Sequence, residues 1–460
     1  MSDTIAAIAS GITVSGIGVI RVSGPESIRI VDHIFIPKKN GRVLYSKGYT
    51  LHYGHLSYLE ERLDEVCVLV FKAPHSFTGE DVVEIDSHGG IFVMRKIMSV
   101  LLKLGVRVAD PGEFTKRAFL NGRMDLSQAE SVIGVINSTN DEALTASLSQ
   151  LSGNLSKRIR DIRDMILCEA AFIEAALDDP EHYDIDSYHD ELLTKSIGIR
   201  VKISELLDTY SYGRTINDGV KVAIIGSPNV GKSSLLNTLT GTDRAIVTDI
   251  AGTTRDTLSE SINLKGMSIN LTDTAGIRES GDEIERIGVK RAREAADNSD
   301  LILFVIDLSR ELSDDENHII ELLSEKIVKG RVIAVLNKCD KKRNCETGYI
   351  KRIFGNMYVE ISAKYDRGID NLFSMIYSIF SSGKVRINDE VVITSLRHYN
   401  NLLHACDMME DAINSIENYV PEDFISSDLM LAYEYLGFII GESVGEDVIE
   451  KIFKDFCMGK

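Results

Sequence analysis

The chain contains no tryptophan and only seven prolines in 460 residues. That scarcity argues against a linker-rich or disordered chain. No run of about 18 apolar residues occurs, so no membrane-spanning helix is expected. The opening stretch, MSDTIAAIASGITVSGIGVIRVSG, is apolar in parts. It carries an acid at Asp3 and no leading positive charge, which makes it a poor signal peptide. Cysteine is present at Cys67, Cys168, Cys339, Cys345, Cys406 and Cys457, but no CxxC and no paired spacing appears. That pattern excludes a structural zinc knuckle and reads as a reducing compartment, so the cytoplasm is expected. Basic residues are the minority, 51 against 70 acidic ones, for a net charge of −19. A chain that grips nucleic acid alone usually offers a basic face, because counterion release drives that affinity. Any RNA contact is therefore expected to be shared with a partner.

A hydrophobic content of 44% and a charged content of 26% are those of a globular protein. The length is too great for one core and predicts about three domains. Residues 1–118 hold short apolar or alternating runs, GVIRVSG, YTLHYGHLSYL, EVCVLVFKA and DVVEIDSHGG, which read as strands. IFVMRKIMSVLLKLG reads as a helix stopped by Gly105, so this is an α+β domain. Over 119–215 apolar residues recur every three or four positions, and the same texture returns over 383–460. Neither half has a strand to pack on, so the two are expected to pack together as one discontinuous helical domain. Between them, 216–382 alternates buried-strand runs (VKVAIIG, SINLTDT, LILFVID, RVIAVLN, MYVEIS) with helical stretches, as in a doubly wound α/β sheet. The acidic segment DDPEHYDIDSYHDE, 178–191, carries two histidines and is read as a solvated connection rather than a metal site.

GSPNVGKS, from Gly226 to Ser233, follows the strand VKVAII and opens the helix SSLLNTL. This is a P-loop in its required context. Gly226 and Gly231 let backbone N–H groups wrap phosphates, Lys232 reaches the β and γ phosphates, and the Ser233 hydroxyl binds Mg²⁺. The nucleotide-binding run is read as Asn229, Val230, Gly231, Lys232, Ser233 and Ser234. DTAG supplies Asp273 for the Mg²⁺ shell, with Thr274, Ala275 and Gly276 near the γ-phosphate. In NKCD, Asp340 can accept from guanine N1 and N2, Asn337 can bond the ring edge, and Lys338 lies between. Adenine presents the opposite pattern, so the base is guanine. SAK, Ser362, Ala363 and Lys364, completes the base pocket. TDIAGTTRD contributes Thr248, Asp249, Ile250, Ala251, Gly252, Thr253 and Thr254, with Thr254 the Mg²⁺ ligand of the first switch.

Two details bear on hydrolysis. Many small GTPases carry a water-orienting Gln after DTAG. Here that position is Ile277, and Glu279, Glu283 and Glu285 are the nearby carboxylates. Arg255 sits beside Asp256 and is read as a surface residue rather than an arginine finger.

DTIAAIAS with GVIRVSG, SFTGEDVVEIDSHGG, DPGEFTKRAFLNGRMDLSQAE, the P-loop run, VTDIAGTTRD, DTAGIRESGDEIERIG and the terminal FCMGK together resemble the MnmE (TrmE) family of tRNA-modification GTPases. The likeness spans essentially the whole chain. It implies a GTP hydrolase that works with a flavin-dependent partner, MnmG (GidA), which itself carries the FAD. Together they add a carboxymethylaminomethyl-type group at C5 of the wobble uridine of certain tRNAs. It implies G domains activated by nucleotide-dependent pairing, with K⁺ in place of an arginine finger, and matches Asn229, Thr248, Ile250 and Thr253 to the K⁺ ligands. It selects Glu285 as the residue that orients water. It also implies that the N-terminal domain forms a constitutive homodimer and binds 5-formyltetrahydrofolate through Arg21, Glu80, Arg123 and Lys460. Two features depart from the family pattern: SGITVSG replaces a Pro- and Gly-rich stretch, and Arg123 stands where some members have Lys, with a different donor geometry.

Cys457 alone would read as a small residue packed at a helix end. CMGK does not fit a prenylation box, and a lone Cys is a poor metal site. The resemblance makes it part of a CxGK motif near the folate pocket and a catalytic thiol. The competing reading of the whole chain is an Era-like GTPase switch in ribosome assembly. Such a protein is expected to carry a basic RNA-binding appendage, and the −19 charge argues against one.

Overall fold

The computed structural model describes residues 3–39, 42–179, 185–241, 246–247, 259–264, 267–273, 297, 299–381, 391–442, 444–454, 456 and 459. The chain forms two compact units. One comprises Met1–Ile136, Ser147–Ser204 and Asn400–Lys460; the other comprises Asn137–Ala146 and Glu205–Tyr399.

The first unit contains a seven-stranded sheet of β1 (Ile5–Ile8), β2 (Ile17–Ser23), β3 (Phe35–Pro37), β4 (Thr50–Tyr58), β5 (Glu61–Phe71), β6 (Val82–His88) and β7 (Arg107–Val108). Their order is β3-β4-β5-β6-β2-β1-β7. Alternation decides which face is covered: Val66, Val68 and Val70 of β5 are buried, with their neighbours less so. The helix Ile91–Lys103 closes that face with Met94, Ile97 and Leu101. It ends as expected just before Gly105, whose φ of +92° suits a residue without a Cβ.

The helix Asn154–Asp178 buries Ile159, Ile162, Ile166, Ala170 and Ile173, a stripe at helical spacing. It packs on Glu422–Ile440, so the two separated stretches of sequence do form one helical domain. The Arg163 guanidinium lies 3.9 Å from the Tyr433 ring centroid and donates to the Tyr433 carbonyl at 3.2 Å. A Cβ at Gly437 would stand 3.1 Å from that guanidinium, so a larger residue there would make the Arg163 side chain shift by a few tenths of an ångström. The last helix, Glu446–Lys454, packs Phe453 near Phe119, with Phe456 beside it. This brings the chain end onto the N-terminal sheet, where a Cβ on Gly459 would stand 2.6 Å from the Ile8 carbonyl.

The second unit holds a mixed sheet of β8 (Val220–Ile225), β9 (Ile246–Val247), β10 (Ser259–Leu264), β11 (Met267–Asp273), β12 (Leu301–Asp307), β13 (Val332–Asn337) and β14 (Tyr358–Glu360). Their order is β14-β13-β12-β8-β11-β10-β9, parallel except at β9 and β10. Both faces are covered, which is why LILFVID and VIAVLN are buried at every position. Val222 and Ile224 enter one core with Leu235 and Leu239; Ala223 and Ile225 enter the other with Phe304 and Ile306. The sheet thus presents the carboxyl ends of β8, β11, β12, β13 and β14 along one edge, where α/β folds bind ligands. No helix among the described residues is long and apolar enough to cross a membrane.

Candidate functional site

The loop from Gly226 to Gly231 joins β8 to the helix Lys232–Gly241. Its glycines answer to space. A Cβ at Gly226 would lie 2.5 Å from the Val305 carbonyl oxygen, and one at Gly231, whose φ is +103°, would lie 2.3 Å from Asn337 Nδ2. Asn229 holds a left-handed φ of +62°, a conformation that Asn tolerates better than most residues. Lys232 Nζ donates to the carbonyls of Gly226 and Ser227 at 2.8 and 2.9 Å. The ammonium therefore arches over the loop, whose backbone N–H groups and adjoining helix N-terminus form an anion cradle. Ser233 and Ser234 are exposed in the first turn of that helix. The Ser227 hydroxyl is buried and has no hydrogen-bond partner among the described residues.

Strand ends carry the remaining groups to this edge. Asn337, buried at the end of β13, donates from Nδ2 to the Val230 carbonyl at 2.8 Å and accepts from the Ala363 N–H at 3.1 Å. Both ends of the amide are thus engaged by the protein, and Asn337 braces the phosphate loop against SAK. Thr238 of the phosphate-loop helix donates to the Ala363 carbonyl at 2.9 Å. Asp340 is exposed and accepts from the Ser362 hydroxyl at 2.6 Å. That bond holds its carboxyl below the ordinary value. The Lys364 ammonium lies 5.1 Å from the Tyr365 ring centroid.

Lys338 has a partner that no motif announced. Its Nζ lies 2.5 Å from Asp307 Oδ2 and donates to the Asn229 carbonyl at 2.8 Å. Asp307 Oδ1 accepts from the Ser309 N–H and hydroxyl at 2.9 and 2.7 Å. Burial pushes the Asp307 carboxyl up, but the Lys338 ammonium and the two Ser309 donors outweigh it and hold it low.

In the first unit, Arg21 and Arg123 approach one ring, their guanidinium carbons 5.1 and 5.8 Å from the Phe77 centroid. Arg21 pairs with Glu84 at 2.7 Å and donates to the Gly459 carbonyl at 3.4 Å. Arg123 donates to the Ser76 carbonyl at 2.8 Å. Glu80 accepts from the Ser23 hydroxyl at 2.8 Å and from buried Arg117 at 3.1 Å. Arg117 also pairs with Glu113 at 2.9 Å and Asp3 at 2.8 Å. The structure therefore brings Arg21 and Arg123 to the Phe77 ring, with the Gly459 carbonyl at Arg21, while Glu80 is held by Ser23 and Arg117.

Outside the described residues lie Thr248, Asp249, Ile250, Ala251, Gly252, Thr253, Thr254, Arg255, Thr274, Ala275, Gly276, Ile277, Glu279, Glu283, Glu285, Cys457 and Lys460. Asp273 ends β11, and only its backbone is described. Residues 180–184 of the acidic 178–191 segment are likewise outside them.

Two family models match. One describes the GTP-binding protein TrmE N-terminus and covers residues 4–123; the other describes the MnmE helical domain and covers residues 126–457. The tRNA modification GTPase MnmE of Lachnoclostridium phytofermentans is 48% identical over 100% of both chains. The proteins of the same name from Acetivibrio thermocellus and Bacillus subtilis are 43% and 42% identical, covering 100% of this chain and 99% and 100% of theirs. This chain belongs to the MnmE family of tRNA modification GTPases. Among solved structures, the G domain of the T. maritima FeoB iron transporter is 27% identical over 35% of this chain and 97% of that one, with a TM-score of 0.26.

Within this MnmE family member, motif reading passed over Asp307, Arg117 and Phe77. A signal existed for the first: Asp307 is the single acid ending the wholly apolar strand LILFVID. Arg117 and Phe77 sit inside quoted motifs, PGEFTKRAFLNG and SFTGED, but nothing local says which partner each takes.

Proposed function

We propose that this chain hydrolyses GTP in a K⁺-dependent cycle. That cycle drives, with the flavoprotein MnmG, addition of a carboxymethylaminomethyl-type group at C5 of the wobble uridine (U34) of certain tRNAs. The supporting observation is the meeting, at one sheet edge, of the phosphate loop, Asn337, Asp340 and Ser362, in a chain that matches its relatives end to end. In this reading Val230, Gly231, Lys232, Ser233 and Ser234 hold the phosphates, and Asn337, Lys338, Asp340, Ser362, Ala363 and Lys364 form the guanine side. Asp249, Ala251, Gly252, Thr274, Ala275 and Gly276 complete the nucleotide contacts from the two switch segments. Ser233, Thr254 and Asp273 suit Mg²⁺, a hard cation that favours oxygen donors and would neutralise phosphate charge when bound. Asn229, Thr248, Ile250 and Thr253 are the K⁺ ligands by family match; the exposed, left-handed Asn229 fits that donor set. Glu285 orients the attacking water.

The N-terminal cluster suits a folate. Two guanidinium groups against one aromatic ring, next to a carboxylate, match a flat heterocycle with an acidic tail. Arg21, Glu80, Arg123 and Lys460 would hold 5-formyltetrahydrofolate, and Cys457 would lie beside it as a thiol of the modification step. The Gly459 carbonyl at Arg21 supports that placement. Leu51 and Tyr53, apolar and exposed on β4, support a homodimer formed by the N-terminal domains. The domain limits proposed are 1–118, 119–215, 216–382 and 383–460. The cytoplasm, where tRNA is modified, is the proposed location.

The test is GTP turnover in K⁺ against Na⁺ buffer at matched ionic strength. Strong stimulation by K⁺, lost in Asn229→Ala, is expected. Equal turnover in both salts would overturn the cation mechanism and bring forward the Era-like switch with an outside activator.

A further inference from the structure

We infer that Asp307 is a positioning residue that holds Asn229 of the phosphate loop in place through the Lys338 ammonium. The inference rests on the reading of Asn229 as a cation ligand and extends it to a residue that touches neither nucleotide nor cation.

The geometry forms a chain of three links. Asp307 sits at the end of β12, with 7% of its side chain exposed. Both its oxygens are engaged, one by the Ser309 N–H and hydroxyl and the other by Lys338 Nζ at 2.5 Å. The same ammonium donates to the Asn229 carbonyl at 2.8 Å. Lys338 and Asn229 each hold a left-handed backbone, at φ +63° and +62°. Such conformations persist in residues with a Cβ only where surrounding contacts impose them. Here the contact is mutual, since one ammonium ties both segments. β12 and β13 pair directly with Asp307 opposite Asn337, so the anchor is fixed by the sheet itself.

The carboxylate is what makes the tie specific. A lysine ammonium is a mobile point charge on a flexible stem, and it stays where a buried anion fixes it. With the charge removed, Lys338 keeps only a neutral carbonyl as partner and water competes for it. The Asn229 backbone then loses its brace, and a cation ligand on that residue loses its direction. Asp340 on the guanine side is held separately by Ser362 and does not depend on this tie.

The experiment uses the full chain with Asp307→Asn, which keeps the shape and removes the charge. Turnover is titrated with KCl at saturating GTP, and affinity for a fluorescent GDP analogue is measured alongside. The K⁺ concentration for half-maximal turnover is expected to rise about tenfold, the usual scale for an outer partner of a metal ligand. Turnover at saturating K⁺ should stay within about twofold of wild type. A merely structural role would lower turnover or the melting temperature without moving the K⁺ midpoint. Wild-type K⁺ dependence in Asp307→Asn would overturn the inference. Should that variant not fold, Ser309→Ala loosens the carboxylate and should move the midpoint the same way by about twofold; no movement overturns the inference. If wild type ignores K⁺, the cation reading fails by itself and the GDP analogue decides. A loss of about threefold or more in its affinity upholds the Asp307–Lys338–Asn229 tie, and unchanged affinity overturns it.

Discussion

Arg117 Nη1 lies 3.1 Å from Glu80 Oε2, and the Arg117 side chain has no exposed surface. The same guanidinium meets Glu113 and Asp3, so three carboxylates converge on one buried cation. Arg117→Met removes the cation and leaves Glu80 with the Ser23 hydroxyl as its donor, while Glu113 keeps Arg107 and the Asp110 N–H. Breaking one side of a buried pair costs about 3–5 kcal/mol. A markedly lower unfolding midpoint of the N-terminal domain is expected in thermal denaturation. If the N-terminal cluster holds a folate as proposed, weaker binding of 5-formyltetrahydrofolate by calorimetry should accompany it, because Glu80 loses the Arg117 donor. An unchanged midpoint would mean that the cluster is not structural.

The same cluster predicts a pH dependence. Burial raises the Asp3 and Glu113 carboxyls, but Arg107 and Arg117 outweigh burial and hold both below their ordinary values of 3.8 and 4.5. A lowered folded value contributes stability above the unfolded one, and that stability is lost as pH falls through the folded value. The melting temperature should therefore drop as pH is lowered below about 4.5. Glu113→Gln has less to lose in that window, so its melting temperature should fall less steeply with acid. Parallel curves for the two proteins would refute the assignment.

Gly226 faces the Val305 carbonyl at a distance that no Cβ can accept, 2.5 Å. Backbone cannot retreat as a flexible side chain can. Gly226→Ala is expected to distort the phosphate loop and weaken GDP binding by at least about tenfold, with the remaining domains still folded. Fluorescent-nucleotide titration measures it. Wild-type affinity would show that the loop has slack which the close approach conceals.

Ser362 holds the Asp340 carboxyl low, so guanine recognition should persist as pH falls toward the ordinary carboxyl value of 3.8. Ser362→Ala removes that bond and lets the carboxyl rise. The variant should bind GDP more weakly at pH 7.5, and its affinity should decline at a higher pH than that of wild type. Identical pH profiles would mean that the hydroxyl does not set the Asp340 ionisation.

The sequence by itself determined what depends on neighbours along the chain. GSPNVGKS specifies a phosphate loop because backbone N–H groups, a lysine and a helix start lie within eight residues, and local spacing is enough. NKCD selected guanine by donor and acceptor type. The apolar periods of 3.6 and of buried strands set out the helices and the sheet, and the two helical stretches had no partner except each other. The tertiary structure decided the partners of charged groups. Lys338 meets Asp307 across 31 positions, Arg117 meets Glu80 across 37, and Arg21 meets the Gly459 carbonyl across 438. A buried charge must find an opposite one, and that requirement is visible in any sequence. Which of the many candidates it finds depends on which strand ends share an edge and where a terminal helix docks. Those follow from packing a whole core, and no short window of residues contains them.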